Sequence, residues 1–396
     1  MTFTPTRSAG LARLNDFVPR AGRIYADGRN ADHGPDARSN VSVLSPYIRH
    51  RLITEEEVVA AVLARHSGAA AEKFVQEVLW RTYWKGWLEM RPEVWTRFVA
   101  ERDGIERGSG LMKAVAAAEA GTTGIDGFDD WARELVETGY LHNHARMWFA
   151  SIWIFTLRLP WTLGADFFLR HLVDADAASN TLSWRWVAGL QTAGKTYLAT
   201  ADNISRYTGG RFSPKGLARE AVALTEAPLP KAMPLTAPAT IDPRTPSLLL
   251  VTGEDLHVES LFAKDMAIRA VLATPSAPGW PWGDKAAVFV TGATDDARER
   301  AGKRFNCTTS TGALDADVII TAAQSAKAKA IVTAYAPVGP VADALAAIEP
   351  AITAAGLSLV RVRRDWDSAF WPHATKGFFP FKERIPGLLG EMGMRF

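Results

Sequence analysis

Cysteine is almost absent from the sequence. Among its 396 residues, Cys307 is the single cysteine. A disulfide needs two thiols, and iron–sulfur clusters and all-cysteine zinc sites need several. One chain therefore holds neither a disulfide nor such a cluster, and we assign it no metal site.

Long apolar runs are missing as well. No segment approaches the roughly 18 uninterrupted apolar residues of a membrane-spanning helix, and residues 1–10 contain no run of signal-peptide length. We therefore expect a cytoplasmic protein without a membrane partner.

Net charge is small, at +2, which neither favours nor excludes nucleic acid as a partner. Arginine is nevertheless concentrated near the N-terminus and outnumbers aspartate there. The arginines within residues 1–51 are Arg7, Arg13, Arg20, Arg23, Arg29, Arg38, Arg49 and Arg51. This excess predicts either a phosphate-binding face or a solvated arginine-rich surface.

Tryptophan, in contrast, is abundant, with 14 residues. Its large ring fills cores, but it also forms stacking surfaces and redox-active sites. The count favours a protein that uses aromatic rings in its function as well as in its packing.

Apolar residues recur with helical spacing through the first 222 residues, where no strand is predicted. A capping box, Thr54 with Glu57, begins one of these helices. The predicted helices cover residues 9–18, 55–65, 69–95, 111–120, 129–138, 143–159, 165–172 and 184–190. We therefore predict an all-α domain over residues 1–222.

The pattern changes after residue 222. Residues 223–246 are rich in proline and alanine and are predicted to be an extended linker. Short apolar runs then alternate with helical stretches at 258–268, 294–305 and 340–355. The predicted strands are Leu248–Val251, Ala287–Val290, Val318–Ile320, Ala330–Thr333 and Leu357–Val362. This alternation predicts a Rossmann-like parallel α/β domain over residues 247–396, ending in an aromatic tail and without a G-x-G-x-x-G loop.

One stretch is polar and aromatic at once: Asp174-Ala-Asp-Ala-Ala-Ser-Asn180 is followed by Ser183-Trp-Arg-Trp-Val-Ala-Gly189. Two carboxylates, an amide and two indoles so close together suggest a buried flat ligand held by hydrogen bonds. The alternative for the two aspartates is a helix N-cap and a surface acid.

Four further motifs precede this stretch. They are Val43-Leu-Ser-Pro-Tyr47, Glu77-Val-Leu-Trp-Arg-Thr-Tyr-Trp84, Thr123-Gly124 with Asp130 and Arg133-Glu-Leu135, and Thr138-Gly-Tyr-Leu-His-Asn-His-Ala-Arg-Met147. Together they resemble, in order, the FAD-binding signature of the DNA photolyase/cryptochrome family. In that family an α/β domain precedes the helical one. Because Leu248–Leu256 and Gly377–Lys382 resemble parts of that α/β domain, the resemblance implies a circular permutation.

The resemblance implies a set of FAD-binding residues. These are Tyr25, Asn40, Ser42, Val43, Leu44, Ser45, Phe74, Glu77, Arg81, Asn143, Arg146, Asp174, Asp176 and Asn180. Asn180 matches the residue that faces the flavin N5, and Arg146 is the expected partner of Asp174. Val41 stands where the family has a threonine, so Asn40 is expected to compensate. An antenna chromophore is left open.

The resemblance also implies UV-damaged DNA as the partner, bound by a monomer. Glu77, Trp80, Met147 and Trp186 match positions that hold a flipped cyclobutane pyrimidine dimer, and Asn143 replaces the histidine of (6-4) enzymes. The alternatives are an exposed helical acid for Glu77 and a core role for Trp80.

Photoreduction is implied to run through Trp184 and then Trp161. The outer tryptophan of the family is missing near Gly108, where Trp148, Trp153 or Trp84 could substitute. The function implied is that of a deoxyribodipyrimidine photo-lyase, a carbon–carbon lyase in which light-excited reduced FAD donates an electron to the dimer. Catalytic roles fall to Glu77, Asn180, Trp184 and Trp161. The alternatives are a cryptochrome-like blue-light photoreceptor without repair activity and a dark flavoprotein.

Overall fold

The computed structural model describes residues 2–396, and helices dominate its first half. Strands begin only at Ser247. The helices before that point are α1 (Arg7–Phe17), α2 (Arg23–Gly28), α3 (Ser45–Arg49), α4 (Glu55–Leu63), α5 (Gly68–Glu89), α6 (Glu93–Gly104), α7 (Ser109–Glu119), α8 (Phe128–Thr138), α9 (Asn143–Ser151), α10 (Trp161–His171), α11 (Ala177–Ala188) and α12 (Ala201–Tyr207). The all-helical character predicted for this part is confirmed.

Local signals place several of these helix ends. Thr54 and Glu57 form the predicted capping box at the start of α4. The stretch predicted as one helix over 69–95 is two helices, because Pro92 lacks a backbone N–H and starts a new helix rather than continuing the old one. Helix α9 runs on into a π-helical turn over Ile152–Thr156.

Residues 208–246 contain no helix or strand. This segment lies against the helical part: the Leu224 N–H donates to the Ala188 carbonyl at 3.0 Å, and the Met233 N–H donates to the Met90 carbonyl at 2.8 Å. The extended backbone follows from the many prolines, which cannot donate to a helix or a sheet.

The second half is a parallel sheet with helices. Five strands pair in the order β3-β2-β1-β4-β5, all in parallel. They are β1 (Ser247–Thr252), β2 (Ile268–Thr274), β3 (Thr308–Thr311), β4 (Ala330–Ala334) and β5 (Ser358–Val362). The helices here are α13 (Asp284–Phe305), α14 (Ala316–Ser325), α15 (Pro340–Ala354), α16 (Asp365–Phe370), α17 (Phe378–Lys382) and α18 (Ile385–Glu391). The predicted parallel α/β fold class is confirmed.

Two predicted strands are wrong. Ala287–Val290 lies within the 22-residue helix α13, and Val318–Ile320 lies within α14. Short apolar runs do not distinguish a strand from a buried helical turn. In α13 the run is not even uniformly buried, since Val288 is 71% exposed.

Two real strands escaped prediction. The helix predicted over 258–268 is a short 3-10 turn at Val258–Ser260, and β2 begins at Ile268. Strand β3 is polar and largely exposed, so it carries no apolar signal. Its place at the edge of the sheet explains why Thr and Ser suffice there.

A buried ionic cluster joins the two halves. The Arg49 guanidinium donates to both oxygens of Glu254 at 2.8 Å, and that of Arg51 donates to Asp367 at 2.6 and 2.8 Å. Glu254 lies two residues beyond the carboxyl end of β1. The two arginines therefore bind acids of the α/β part, and buried pairs of this kind fix geometry as much as they stabilise.

The N-terminal arginines are mostly used in ion pairs. Six of the eight pair with carboxylates: Arg7–Glu57, Arg20–Asp16, Arg29–Glu77, Arg38–Glu134, Arg49–Glu254 and Arg51–Asp367. Carboxylates therefore neutralise most of this excess. No helix within residues 2–396 is long and apolar enough to cross a membrane.

Candidate functional site

One large cavity opens among the helices, with a volume of about 480 Å³. This lies within the range of roughly 300–1,000 Å³ common for small-molecule sites. The predicted site residues that line it are Tyr25, Ser42, Val43, Ser45, Phe74, Glu77, Trp80, Arg81, Asn143, Arg146, Met147, Asp174, Asp176, Asn180, Trp184 and Trp186. Five separated segments therefore meet at one place.

Helix α5 supplies one wall. Glu77, Trp80, Arg81 and Trp84 recur at spacings of three and four, so they share one helical face, and all four line the cavity. Ser67 caps the helix by accepting from the Ala70 N–H.

Asp176 has two roles. Its carboxylate caps α11 by accepting from the Ser179 N–H at 2.7 Å and also pairs with Arg81. Burial alone would raise the pKa of Asp176, but Arg81, Lys85 and Arg49 lower it to about 2. The N-cap alternative is thus correct for this residue, which is buried and charged at the same time.

Asp174 pairs with Arg146, as expected. The guanidinium donates to Oδ2 at 2.8 Å, and Oδ1 is buried without a hydrogen-bond partner in the chain. Burial would raise the pKa of Asp174, but Arg146 outweighs it and holds the pKa below its ordinary value. An ionised, half-satisfied carboxylate therefore borders the cavity.

The loop before α3 is strained. Val43 has a φ of 51°, in the left-handed region that a β-branched residue rarely adopts. Ser42 Oγ accepts from the Leu44 N–H at 3.3 Å. Backbone strain at a ligand site costs on the order of 1–3 kcal/mol and persists where the surroundings enforce it.

Helix α11 places its polar and aromatic groups along the cavity. Asn180 donates from Nδ2 to the Ala165 carbonyl at 2.8 Å, which fixes the amide. Ser179 Oγ and the Trp184 Nε1–H are buried without a partner in the chain. Such unpartnered polar groups are costly unless a ligand satisfies them.

Glu77 stands where the cavity opens. Its side chain is 42% exposed and lies 3.7 Å from the Arg29 guanidinium. Surrounding protein raises the pKa of Glu77, and Arg29 partly opposes this rise. Because the carboxyl is partly exposed, solvent screens much of both effects.

Three residues predicted for the site do not line the cavity. Asn40 donates instead to the Gly28 and Ala31 carbonyls, at 2.8 and 2.7 Å, and so ties down its own loop. Leu44 is fully buried in the core. Trp161 packs against Phe98 with ring centroids 5.6 Å apart.

Trp153 is the tryptophan whose ring contacts Trp184. Their centroids are 6.3 Å apart and their planes perpendicular. Trp148 packs on Trp131 at 5.3 Å, and Trp84 packs on Trp80 at 5.3 Å. Trp153 thus contacts the inner tryptophan, but Trp148 and Trp153 are fully buried and Trp84 is 8% exposed, so none of the three takes the surface position of the missing outer tryptophan.

Several cavity residues were not predicted. They include Arg29, Asn30, Tyr140, His142, Ser179 and Ser183. Ser179 and Ser183 are one helical turn apart beside Asn180, so helical spacing could have found them. Arg29 belongs to the N-terminal arginine excess, but that signal did not place it at this cavity, because its neighbours in sequence form no motif.

Comparisons with known proteins identify this helical part. Residues 74–216 match the family described as the FAD binding domain of DNA photolyase. The deoxyribodipyrimidine photo-lyase of Streptomyces griseus is 35% identical over 194 residues, which cover 47% of this chain and 41% of that protein. The enzyme of the same name from Agrobacterium fabrum is 32% identical over 190 residues, which cover 47% of this chain and 39% of that protein.

A solved structure is similar over about half of the chain. The bacterial class III photolyase from Agrobacterium tumefaciens has 29% sequence identity and a TM-score of 0.46, covering 52% of this chain and 43% of that one. The chain thus spans less than half the length of these relatives. Over residues 74–216 the chain is thus similar to the FAD binding domain of DNA photolyase.

The cavity suits the cofactor of that domain. Asp174 Oδ1, Ser179 Oγ and the Trp184 indole N–H are buried polar atoms that lack partners in the chain, and all three residues line the cavity. A ring system edged with donors and acceptors would satisfy them.

Proposed function

We propose that the chain holds FAD in this cavity and uses light to split cyclobutane pyrimidine dimers in UV-damaged DNA, as a carbon–carbon lyase. The observation that carries the proposal is that two sets of residues line one cavity. Asp174, Asp176 and Asn180 lie deep in it, whereas Glu77 stands where it opens. A flavin and a flipped base could therefore approach each other within it.

The residues that would hold FAD form two groups, one for the phosphates and one for the sugar and the ring. Ser42, Ser45 and the strained backbone at Val43 offer hydroxyl and N–H groups to the phosphates. Asp174 and Asp176, both ionised, accept hydrogen bonds from the sugar and the ring. Asn180, whose Nδ2 donates to the Ala165 carbonyl, would have its amide oxygen left to accept a hydrogen bond from the ring.

The lesion would be held by a carboxyl group and aromatic rings. Because its pKa is raised, Glu77 retains a larger protonated fraction than a free glutamate and can donate from Oε to a pyrimidine carbonyl. Trp80 and Trp186 offer ring faces on which a base stacks. A dimer is already poorly paired, so extruding it costs less than extruding an intact base.

The cofactor does the bond chemistry. When bound and reduced, FAD supplies a light-excited electron that opens the dimer and then returns. The protein positions the dimer against it and excludes water. We further propose a monomer, and Trp184 with Trp153 or Trp161 as the route by which electrons reach the site.

A photoreceptor without repair activity is the second candidate. It is favoured by Phe378, whose ring stacks on Trp80 at 3.6 Å and so covers one indole face. With that face covered, only the other face of the Trp80 indole is left for a base to stack on.

Glu77→Gln separates the two candidates. In a photolyase, blue-light repair of a thymine-dimer oligonucleotide falls by at least about tenfold, because the neutral amide loses the charge-assisted hydrogen bond, worth ~1.5–3 kcal/mol, that the ionised form of Glu77 accepts from a pyrimidine N–H. FAD content and flavin photoreduction stay as in the wild type. Glu56→Gln, at an exposed position on α4, is the matched control. Wild-type protein that carries FAD, is photoreduced and leaves the dimer intact supports the photoreceptor instead.

A further inference from the structure

A row of aromatic rings runs from the cavity towards the α/β part. Trp184, which lines the cavity, lies against Gly164 of α10, where an added Cβ atom would come within 2.4 Å of its ring. Trp161 stands three residues before Gly164, on the same face of that helix. The row therefore begins with Trp184 and Trp161 beside each other on the surface of α10.

The row continues through α6. The ring centroid of Phe98 lies 5.6 Å from that of Trp161 and 5.3 Å from that of Trp95. Trp280, from the loop after β2, follows at 5.6 Å from Trp95. These distances are those of rings in contact. Because electron tunnelling weakens steeply with distance, contacting rings form an effective route from the cavity to the α/β part.

Trp95 has a proton acceptor at its indole nitrogen. Its Nε1–H donates to Oδ2 of Asp343 at 2.8 Å, a hydrogen bond between the helical part and the α/β part. Asp343 is exposed in the first turn of α15. An indole that has lost an electron is a far stronger acid than the neutral ring. A carboxylate on its N–H therefore stabilises the positive charge and can remove the proton.

Neighbouring tryptophans have less suitable surroundings. The Trp153 Nε1–H donates to the Pro160 carbonyl at 2.9 Å, and a peptide carbonyl does not take up the proton. The Arg102 guanidinium lies over the Trp280 ring, 5.0 Å from its centroid, and repels a positive charge there. The electrostatics therefore favour positive charge on Trp95.

We propose that Trp95 is the outer end of the electron path to FAD and that Asp343 accepts its indole proton. This inference rests on the proposed function. Trp184 passes an electron to light-excited FAD, Trp161 then reduces Trp184, and Trp95 reduces Trp161. Trp95 finally gives its Nε1 proton to Asp343, which leaves a neutral tryptophan radical that no longer attracts the electron back.

A thiol in solution closes the cycle. It gives one electron to Trp95 across the partly exposed ring of Trp280 and releases its own proton to water, while Asp343 returns the indole proton. Two cycles supply FAD with two electrons and oxidise two thiols to one disulfide. Of the two thiol protons, one goes to the reduced flavin and one stays in water.

Photoreduction of full-length, FAD-loaded protein tests the path. The sample is illuminated with a thiol reductant, and transient absorbance follows both the flavin and the tryptophan radical. Trp95→Phe keeps an aromatic ring that is far harder to oxidise, and Asp343→Asn keeps a hydrogen-bond acceptor that takes up no proton. The controls are Trp131→Phe, a buried tryptophan of α8, and Asp317→Asn, an exposed aspartate in the first turn of α14.

Trp95→Phe is expected to slow flavin photoreduction at least about tenfold, because the path then stops at Trp161. Asp343→Asn shortens the lifetime of the tryptophan radical and leaves the unfolding free energy close to that of the wild type. Both controls behave as the wild type does. A wild-type rate in Trp95→Phe, or an unchanged radical lifetime in Asp343→Asn, overturns the inference.

A shorter path is tested by Glu101→Gln, since Glu101 lies beside the Trp161 indole. A radical lifetime that depends on Glu101 and not on Asp343 would place the outer end at Trp161 and overturn the inference.

Chemical reduction separates this inference from the repair function. With dithionite-reduced FAD, which bypasses the path, Trp95→Phe should repair a thymine-dimer oligonucleotide as fast as the wild type does. Slower repair would show that Trp95 supports the fold of the site instead, which also overturns the inference. Wild-type protein that leaves the dimer intact after this reduction contradicts the repair function, while the photoreduction rates still decide the path.

Discussion

Phe378 lies face to face on Trp80, with ring centroids 3.6 Å apart and 11° between the ring planes. The two residues come from opposite ends of the chain, since Trp80 belongs to α5 and Phe378 to α17. Phe378 thereby holds the indole that borders the cavity. The C-terminal segment thus packs against the cavity wall that is proposed to recognise the substrate.

Replacing Phe378 should therefore affect both stability and binding. Phe378→Ala removes a buried ring and is expected to cost about 3–5 kcal/mol of unfolding free energy. Freed from its stack, Trp80 becomes mobile, and affinity for a dimer oligonucleotide falls. Chemical denaturation and dark titration measure the two effects.

Phe378→Leu keeps most of the volume without the aromatic face and serves as the comparison. It should recover much of the stability and less of the affinity. Equal recovery of both would show that Phe378 acts on the site only by filling space.

Asp174→Asn tests the ion pair at the bottom of the cavity. It leaves the Arg146 guanidinium without its charge partner, and FAD content after purification is expected to drop sharply. The unfolding free energy should fall by about 2–3 kcal/mol, at the lower end for buried pairs because Arg146 borders the open cavity. Flavin released on denaturation is the measure.

The matched control is Asp130→Asn, which breaks an exposed pair with Arg133 on α8. It should change stability by no more than about 0.5 kcal/mol and leave FAD content intact. Full FAD retention in Asp174→Asn would remove Asp174 from the cofactor site.

Stability should depend on pH through Glu89, at the contact between the two halves. Burial raises the pKa of Glu89 to about 7, although the Val338 N–H and the Tyr335 hydroxyl donate to it at 2.5 and 2.7 Å. Asp367 adds to the rise and Arg363 opposes it. The folded protein thus binds a proton more tightly at Glu89 than the unfolded chain does.

The raised pKa of Glu89 fixes the direction in which the unfolding free energy changes with pH. The contribution of Glu89 is fully present below its ordinary value of about 4.5 and is lost as pH rises through about 7. In Glu89→Gln the unfolding free energy should therefore decline less steeply over this range than in the wild type. Parallel pH profiles would refute the assignment.

Gly164 on α10 leaves room for the tryptophans. A Cβ atom there would lie 2.4 Å from Trp184 Cη2 and 2.9 Å from Trp153 Cε2. Gly164→Ala is expected to displace the indole pair, cost about 1–3 kcal/mol and slow flavin photoreduction. Denaturation and absorbance under illumination with a thiol reductant give the two readouts.

Gly110→Ala provides the contrast. Gly110 lies in α7, where an added Cβ meets nothing within 4 Å. This change should stabilise the protein by roughly 0.5–1 kcal/mol and leave photoreduction as it was. Similar behaviour of the two alanine variants would count against a tight Trp153–Trp184 contact.

The site was more predictable from sequence than the α/β part was. Motif order brought Asp174, Asp176 and Asn180 together with Glu77. The cost of burying a lone charge requires a partner for Asp174, and the family resemblance pointed to Arg146. The roles of these residues stay predictions. The all-helical first half also followed from periodicity and capping.

Other features could not be read from the sequence, for physical reasons. Ala287–Val290 looks like a strand because four apolar residues do not reveal the 22-residue helix around them. Strand β3 contains no apolar residue, so no hydrophobic pattern predicts it. The stack of Phe378 on Trp80 depends on tertiary packing between distant segments, which no local pattern encodes.

The most direct test of the repair function is a light-dependent assay on the purified chain. Protein carrying photoreduced FAD is mixed with an oligonucleotide that contains one thymine dimer and is illuminated with blue light. We predict restoration of the intact thymines in the wild type, none in the dark, and a loss of at least about tenfold in Glu77→Gln at equal FAD content. Dimer that persists under illumination, in wild-type protein with FAD bound and reduced, would contradict the proposed function.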